Sequence, residues 1–236
     1  MDGPFLVVMT NLHPYSNVNL HQGGEAMSKY GLLVISHGSR DPIWVQLVRA
    51  ACAQIQLPAK LSDIPIECAF LELVEGHLIQ DGIDRLETAG VTDIIVIPLF
   101  ISSGSTHIDE ISWALGLQAK PSLPTDLLRF CIRAVIHWCP PIDDDPEIAR
   151  LLVDKLKPVS HDPTKQLVLL VGHGSREKGF YTRWHQGMAS LAAQMKELGG
   201  YAEADIAMLL PNQAACKMKL WQRKRPDLML SWLRCF

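Results

Sequence analysis

The chain has 236 residues, of which 48% are hydrophobic and 20% are charged, and its formal net charge is −3. This length and composition are typical of a globular protein that buries a core in one large or two small domains. A slightly acidic chain gives no general reason to expect nucleic acid or an anionic membrane as a partner, and no apolar stretch approaches the length of a membrane helix.

The six cysteines are scattered and form no Cys-x-x-Cys pair. Neither a disulfide framework nor a zinc or iron–sulfur cage is therefore expected. Small buried thiols in a reducing compartment are the simplest interpretation, and we expect a cytoplasmic protein.

The first 29 residues are predicted to be an N-terminal extension without ordered structure. Their one apolar run, FLVVM, has no basic segment before it and is followed by polar residues, so it does not have the pattern of a signal peptide. Residues 1–26 also match nothing downstream, and we expect them to lie outside the fold.

Continuous apolar, β-branched runs predict strands that are covered on both faces of a parallel sheet. Asp41 as N-cap and Pro42 at the first helical position indicate a helix after the first strand, and a second helix is predicted over 75–89. The predicted strands are 31–36, 66–73 and 93–100. Strands that alternate with helices favour right-handed parallel crossovers.

A further strand is predicted over 129–138, followed by a helix that has Pro146 in its first turn and is capped by the preceding aspartates. After a linker at 160–166, the strand pattern begins again. We therefore predict an α/β fold of tandem lobes, each a small parallel sheet flanked by helices, with the first lobe at 30–159 and the second at 160–236.

One phrase occurs twice, as LLVISHGSR at 32–40 and LLVGHGSR at 169–176. Aligning the two copies places His173 opposite His37 and Leu210 opposite Glu72. The position that corresponds to His107 falls beyond residue 236. We expect the second lobe to be incomplete, without its final loop, last strand and helix, and to expose apolar surface as a result.

Three polar residues follow predicted strands of the first lobe, namely His37, Glu72 and His107. The carboxyl ends of parallel strands form one crevice, so two imidazoles and a carboxylate there are a plausible open divalent-metal site. Each residue taken singly also fits an ordinary turn or surface position. Their coincidence at three strand ends favours the site.

The glycines around the two histidines do not have the spacing of other known binding or catalytic motifs. GHGSRE has no third glycine for a dinucleotide fingerprint, neither copy has the G-x-S-x-G turn of a hydrolase, and no phosphate-binding lysine follows either turn.

The segments LLVISHGSR, CAFLELVEG and VTDIIVIPLFISSGSTHIDEI, in this order, resemble the class II tetrapyrrole chelatases, specifically the sirohydrochlorin chelatase and cobaltochelatase family. The resemblance is strong over residues 30–115 and weaker over 168–210. It implies that His37, Glu72 and His107 are the metal and catalytic residues.

The resemblance also implies an activity, the insertion of ferrous iron or cobalt, with nickel as a further option, into sirohydrochlorin for siroheme or cobalamin biosynthesis. No cofactor is expected beyond this substrate metal. Sirohydrochlorin carries many carboxylates, and the candidate anchors for them are Arg40, Ser102, Ser103, Ser105 and Thr106.

Two alternatives stay open at this point, a metal-binding or metallochaperone-like protein and an inactive remnant. The expected partners are sirohydrochlorin and the metal ion, with neither nucleic acid nor membrane. A homodimer is an open arrangement.

Overall fold

The computed structural model describes residues 28–234. They form two compact units, one comprising the chain up to Leu99 together with Asp109–Pro141, the other comprising Phe100–Ile108 together with the chain from Ile142 onward. The predicted N-terminal extension lies, up to residue 27, outside the described residues. None of the helices in the described part is long and apolar enough to cross a membrane.

The first unit is built on a four-stranded parallel sheet in the order β2-β1-β3-β4. The helix α3 begins in the segment assigned to the second unit and ends in the first. The elements are β1 Tyr30–Ser36, α1 Pro42–Ala53, β2 Ile66–Phe70, α2 Ile79–Thr88, β3 Asp93–Pro98, α3 Thr106–Ala114 and β4 Val135–Trp138.

Helices cover both faces of the central strand β1, as its unbroken apolar run predicts. Leu32 and Val34 belong to a core cluster with Val48 of α1, whereas the Leu33 side chain lies against Gly82 of α2. Asp41 caps α1 by accepting a hydrogen bond from the Ile43 N–H at 2.9 Å. The predicted start of this helix is therefore confirmed.

The second unit has a three-stranded parallel sheet in the order β6-β5-β7. One face of β5 packs in a core cluster with α4 and α5, and the other face packs in a cluster with residues of α6. The elements are α4 Pro146–Leu156, β5 Gln166–Gly174, α5 Lys178–Gly199, β6 Glu203–Leu210, α6 Ala214–Lys224 and β7 Met229–Arg234.

Strand register shows that the two sheets repeat one another. Val96 of β3 pairs with Leu33 of β1, and Trp232 of β7 pairs with the corresponding Leu169 of β5. The elements α6 and β7 take the places of α2 and β3, and within the described residues the second sheet has no counterpart of α3 and β4, as expected for a lobe without its last strand and helix. Trp232 is 59% exposed where Val96 is fully buried, so apolar surface is exposed at this strand, as expected.

Two element boundaries differ from the predicted ones, because backbone N–H groups near them donate hydrogen bonds to groups outside the predicted helix or strand. The second helix begins at Ile79, since the Phe70 N–H bonds to the His77 carbonyl at 2.8 Å and holds the preceding residues beside β2. The strand predicted over 129–138 shortens to β4, because the N–H groups of Arg133 and Ala134 donate to Glu87 of α2.

The helix α4 lies in the predicted first lobe but packs in the second unit. Its apolar residues Ala149, Leu152 and Val153 share a core cluster with Leu191 and Met195 of α5. The border between the units therefore falls near residue 142, ahead of the predicted one.

Asp205 links β6 to α6 and offers a test of this part of the fold. Its carboxylate accepts hydrogen bonds from Lys217 Nζ at 2.7 Å and Trp221 Nε1 at 2.6 Å. Burial raises the pKa of Asp205, but the hydrogen bonds from Lys217 and Trp221 outweigh it and hold the pKa below the ordinary value of 3.8. A carboxylate with a lowered folded-state pKa stabilises the fold above its ordinary pKa, and this stabilisation is lost as the pH falls through the folded value.

We expect Asp205→Asn to lower the free energy of unfolding by about 1–3 kcal/mol at pH 7 and by less near pH 3, measured by urea unfolding at both pH values. The control is Asp154→Asn, which breaks an exposed ion pair with Lys157 and should change little. An equal loss for Asp205→Asn at both pH values would mean that the folded protein does not lower the pKa of Asp205.

Candidate functional site

The turn after β1 lies directly against the chain that follows β2. The Leu71 N–H donates to the Ser36 carbonyl at 2.8 Å, and the Glu72 N–H donates to the His37 carbonyl at 3.1 Å. Gly38 has a φ of +102°, and a Cβ at this position would lie 2.0 Å from the Glu72 carbonyl oxygen. Only glycine therefore allows this turn to bring His37 beside Glu72.

His37 and Glu72 are brought together as a half-exposed pair. Nε2 of His37 lies 3.7 Å from Oε1 of Glu72, and the two side chains are 41% and 52% exposed. Nδ1 of His37 lies 3.1 Å from the Gly38 carbonyl oxygen, which favours the tautomer with its proton on Nδ1 and a lone pair on Nε2.

This geometry suits two chemical tasks. Two ligands about 2.1 Å from one tetrahedral ion lie roughly 3.4 Å apart, so small movements of Nε2 and Oε1 would place both on one metal ion. The carboxylate would also stabilise the imidazolium that forms when His37 takes up a proton.

His107 lies in the first turn of α3, half-buried, with its ring centroid 6.1 Å from that of Phe100. The segment Phe100–Ile108 belongs to the second unit, whereas His37 and Glu72 belong to the first. The convergence of His107 with this pair therefore stays a prediction. Within residues 28–234, no group of three or more His, Cys, Asp or Glu side chains is arranged to hold a metal ion.

Two of the predicted substrate anchors have hydrogen-bond partners within the second unit. The buried Ser102 accepts a hydrogen bond on Oγ from the Gly104 N–H, and Ser103 donates through its N–H and its hydroxyl to Asp143 Oδ1. The Ser105 N–H donates to the Ser102 carbonyl. Arg40 and Thr106 are exposed. A role for any of the five in binding substrate carboxylates stays a prediction.

The second copy of the motif repeats the turn but not the pair. Nδ1 of His173 lies 3.1 Å from the Gly174 carbonyl, and a Cβ on Gly174 would lie 2.4 Å from the carbonyl oxygen of Leu210. The predicted match of Leu210 with Glu72 is confirmed by this contact and by the strand register. The second lobe therefore presents an imidazole with no carboxylate at the matching position.

Asp143 and Arg183 contact the loop before His107, and no sequence motif identifies either of them. Asp143 was grouped with the aspartates that cap α4, but the cap hydrogen bond comes from Asp145, whose Oδ1 accepts from the Glu147 N–H. Asp143 has a φ of +45° and accepts from Ser103 instead. No local pattern distinguishes these two roles.

Comparison with known proteins gives the same family that the sequence motifs resemble. The model of the CbiX family matches residues 31–159. A sirohydrochlorin cobaltochelatase from Methanopyrus kandleri is 25% identical over 138 residues, which are 53% of this chain and 94% of that protein. A sirohydrochlorin cobaltochelatase from Methanosarcina acetivorans is 33% identical over 92 residues, which are 39% of this chain and 68% of that protein.

Among solved structures, SirB from Bacillus subtilis with Fe3+ superposes with a TM-score of 0.59 at 20% sequence identity. The superposition covers 86% of this chain and 88% of that one. This likeness shows that the two chains share a fold.

Proposed function

Because the chain belongs to the CbiX family, whose model covers residues 31–159, we propose that it inserts a divalent metal ion into sirohydrochlorin. The observation that carries the proposal is the His37–Glu72 pair, held at the carboxyl ends of two neighbouring parallel strands by a turn that requires Gly38. The relatives are named for cobalt, and the structural neighbour was solved with iron. Ferrous iron and cobalt are therefore the metals to test first.

Metal insertion exchanges one divalent ion for the two protons on the pyrrole nitrogens of the ring. Nε2 of His37 and a carboxylate oxygen of Glu72 receive the ion, and their exposure leaves room for the tetrapyrrole to approach. His107 supplies a third ligand or accepts a pyrrole proton, tasks that suit a neutral imidazole.

Binding of the substrate requires cationic or hydrogen-bonding groups for its carboxylates. Arg40 lies exposed three residues after His37, so its guanidinium can form a bidentate ion pair with a substrate carboxylate. Thr106 is exposed directly beside His107 and offers a hydroxyl donor. The backbone groups of the loop that contains Ser102, Ser103 and Ser105 have a supporting role in substrate binding.

The direct test is anaerobic incubation of the purified chain with sirohydrochlorin and ferrous iron, cobalt or nickel, followed by the absorption change on insertion. We expect catalysed insertion of iron or cobalt above the rate without protein. Metal binding without insertion would select a metal-binding or metallochaperone-like protein, and neither binding nor insertion would select an inactive remnant. Light scattering on the same preparation tests for a homodimer.

Glu72→Gln gives a sharper test of the pair. The amide keeps the size of the side chain but loses the charge that attracts the metal and stabilises an imidazolium at His37. We expect metal affinity and insertion rate to fall about 10-fold or more, with an unchanged melting temperature because the side chain is half exposed.

The matched control is Glu75→Gln, which removes an exposed carboxylate three residues further on. It should behave like the parent protein. Equal effects of the two substitutions would mean that general negative charge, and not the His37–Glu72 pair, attracts the metal.

A further inference from the structure

The loop that leads to His107 is anchored within the second unit. This loop, residues 100–106, follows β3 in sequence, but the structure groups it with the chain from Ile142 onward. The Ile142 N–H donates to the Phe100 carbonyl at 2.9 Å. One residue later, Asp143 Oδ1 accepts from the Ser103 N–H at 2.8 Å and from the Ser103 hydroxyl at 3.1 Å.

Helix α5 holds the same loop through a second set of contacts. Nε of Arg183 donates to the Ser103 carbonyl at 2.9 Å, and the guanidinium lies over the Phe180 ring, 4.6 Å from its centroid. The next residue, Gly104, is buried so closely against α5 that a Cβ there would lie 2.5 Å from the Phe180 carbonyl oxygen and 2.6 Å from Cδ1 of Trp184. The loop therefore has little freedom to shift along α5.

The contacts at Ser103 are transmitted to His107 through the short turn between them. The Ser103 N–H, hydroxyl and carbonyl all have partners from Asp143 and Arg183. The Ser105 N–H donates to the Ser102 carbonyl, and the Ile108 N–H donates to the Ser105 carbonyl, so hydrogen bonds run from Ser102, the neighbour of the anchored Ser103, into the first turn of α3. His107 lies in that turn.

We propose that Asp143 and Arg183 are positioning residues that fix the place of His107. The proposal rests on the proposed function in so far as His107 acts on the metal or the ring. The second unit, in which Leu210 stands in the place of Glu72, thus holds the loop that carries the predicted third site residue, His107.

Substitutions at Asp143 separate hydrogen bonding from mere packing. Asp143→Ala removes both hydrogen bonds to Ser103, whereas Asp143→Asn keeps an oxygen that accepts from the same N–H. The control is Asp144→Ala, which removes the neighbouring carboxylate and its hydrogen bond from Ser190 of α5. Arg183→Ala removes the third contact from an exposed position on α5 and gives a second variant that should fold.

Two measurements on each variant test the proposal. The first follows the imidazole resonances of His107 by NMR in the metal-free protein, assigned with a His107→Gln variant. The second measures kcat and KM for cobalt insertion. We expect Asp143→Ala and Arg183→Ala to shift or broaden the His107 resonances and to lower kcat/KM about 10-fold, while Asp143→Asn stays within about threefold of the parent and Asp144→Ala matches it.

The outcomes distinguish this proposal from the proposed function. If the parent inserts metal and Asp143→Ala and Arg183→Ala leave both the His107 resonances and kcat/KM unchanged, the positioning role is overturned. It is also overturned if Asp144→Ala is as damaging as Asp143→Ala. If the parent inserts no metal while Asp143→Ala still perturbs the His107 resonances, the anchor is supported and the proposed function fails.

Discussion

Replacing His37 with alanine should reduce metal insertion about 100-fold or more, whereas His173→Ala should reduce it less than about threefold. The two histidines occupy equivalent turns, each with Nδ1 3.1 Å from the following glycine carbonyl. They differ in the residue that the neighbouring strand supplies. His37 has Glu72 at 3.7 Å, and His173 has Leu210 at the matching position.

The comparison is informative because each variant controls for the other. Both substitutions remove an imidazole from the same kind of turn, so general effects on the turn cancel. His37 is 41% exposed, and we expect its loss to leave the melting temperature unchanged. The ring centroid of His173 lies 6.4 Å from that of Trp184, so we expect any effect of its loss to come from altered packing of the second lobe.

The measurements are initial rates of cobalt and iron insertion, metal affinity by titration calorimetry, and folding by circular dichroism. If His173→Ala proves the more damaging substitution in a folded protein, the second copy of the motif carries the chemistry. The assignment of the site to His37 and Glu72 would then be wrong.

The sequence predicted those parts of the fold that depend on local or repeated patterns. The start of α1 follows from Asp41 and Pro42 alone, because a cap and a fixed φ act within one turn. The pairing of His37 with Glu72 also follows, because neighbouring parallel strands end at one edge of a sheet. The close approach behind that pairing did not, because the need for Gly38 depends on a carbonyl 34 residues away.

The sequence-based predictions failed where the structure depends on contacts between residues far apart in the chain. The apolar face of α4 fits either lobe equally well by its pattern, and only its packing against α5 assigns it to the second unit. No strand was predicted at β7, because its alternating pattern, with Trp232 exposed, differs from the unbroken apolar run of β3. The role of Asp143 depends on Ser103, 40 residues before it, and could not be distinguished from helix capping.

Gly38→Ala should be the most damaging single-methyl change in the first lobe, because it combines two costs. An alanine at a φ of +102° is strained, and its Cβ would lie 2.0 Å from the Glu72 carbonyl oxygen, so the chain after β2 must move. A displacement of about 1 Å in a catalytic group can lower a rate roughly 100-fold. We expect a loss of this size in metal insertion, together with a lower melting temperature.

Two further glycines separate the contributions. Gly76 also has a positive φ, of +75°, but a Cβ there would meet nothing within 4 Å, so Gly76→Ala should cost about 1 kcal/mol of stability and leave insertion intact. Gly174→Ala makes the equivalent clash in the second lobe, 2.4 Å from the Leu210 carbonyl oxygen. It should lower the melting temperature as Gly38→Ala does, with a much smaller effect on insertion.

The three variants therefore assign any loss of activity to strain, to general destabilisation or to displacement of Glu72. Strain alone would make Gly76→Ala and Gly38→Ala alike, and general destabilisation would make Gly174→Ala and Gly38→Ala alike. Only displacement of Glu72 lowers insertion in Gly38→Ala while the other two variants keep it, measured at a temperature where all three are folded. A Gly38→Ala protein that inserts metal at the parent rate would mean that the spacing of His37 and Glu72 does not set the rate, because the methyl group cannot fit without moving one of them.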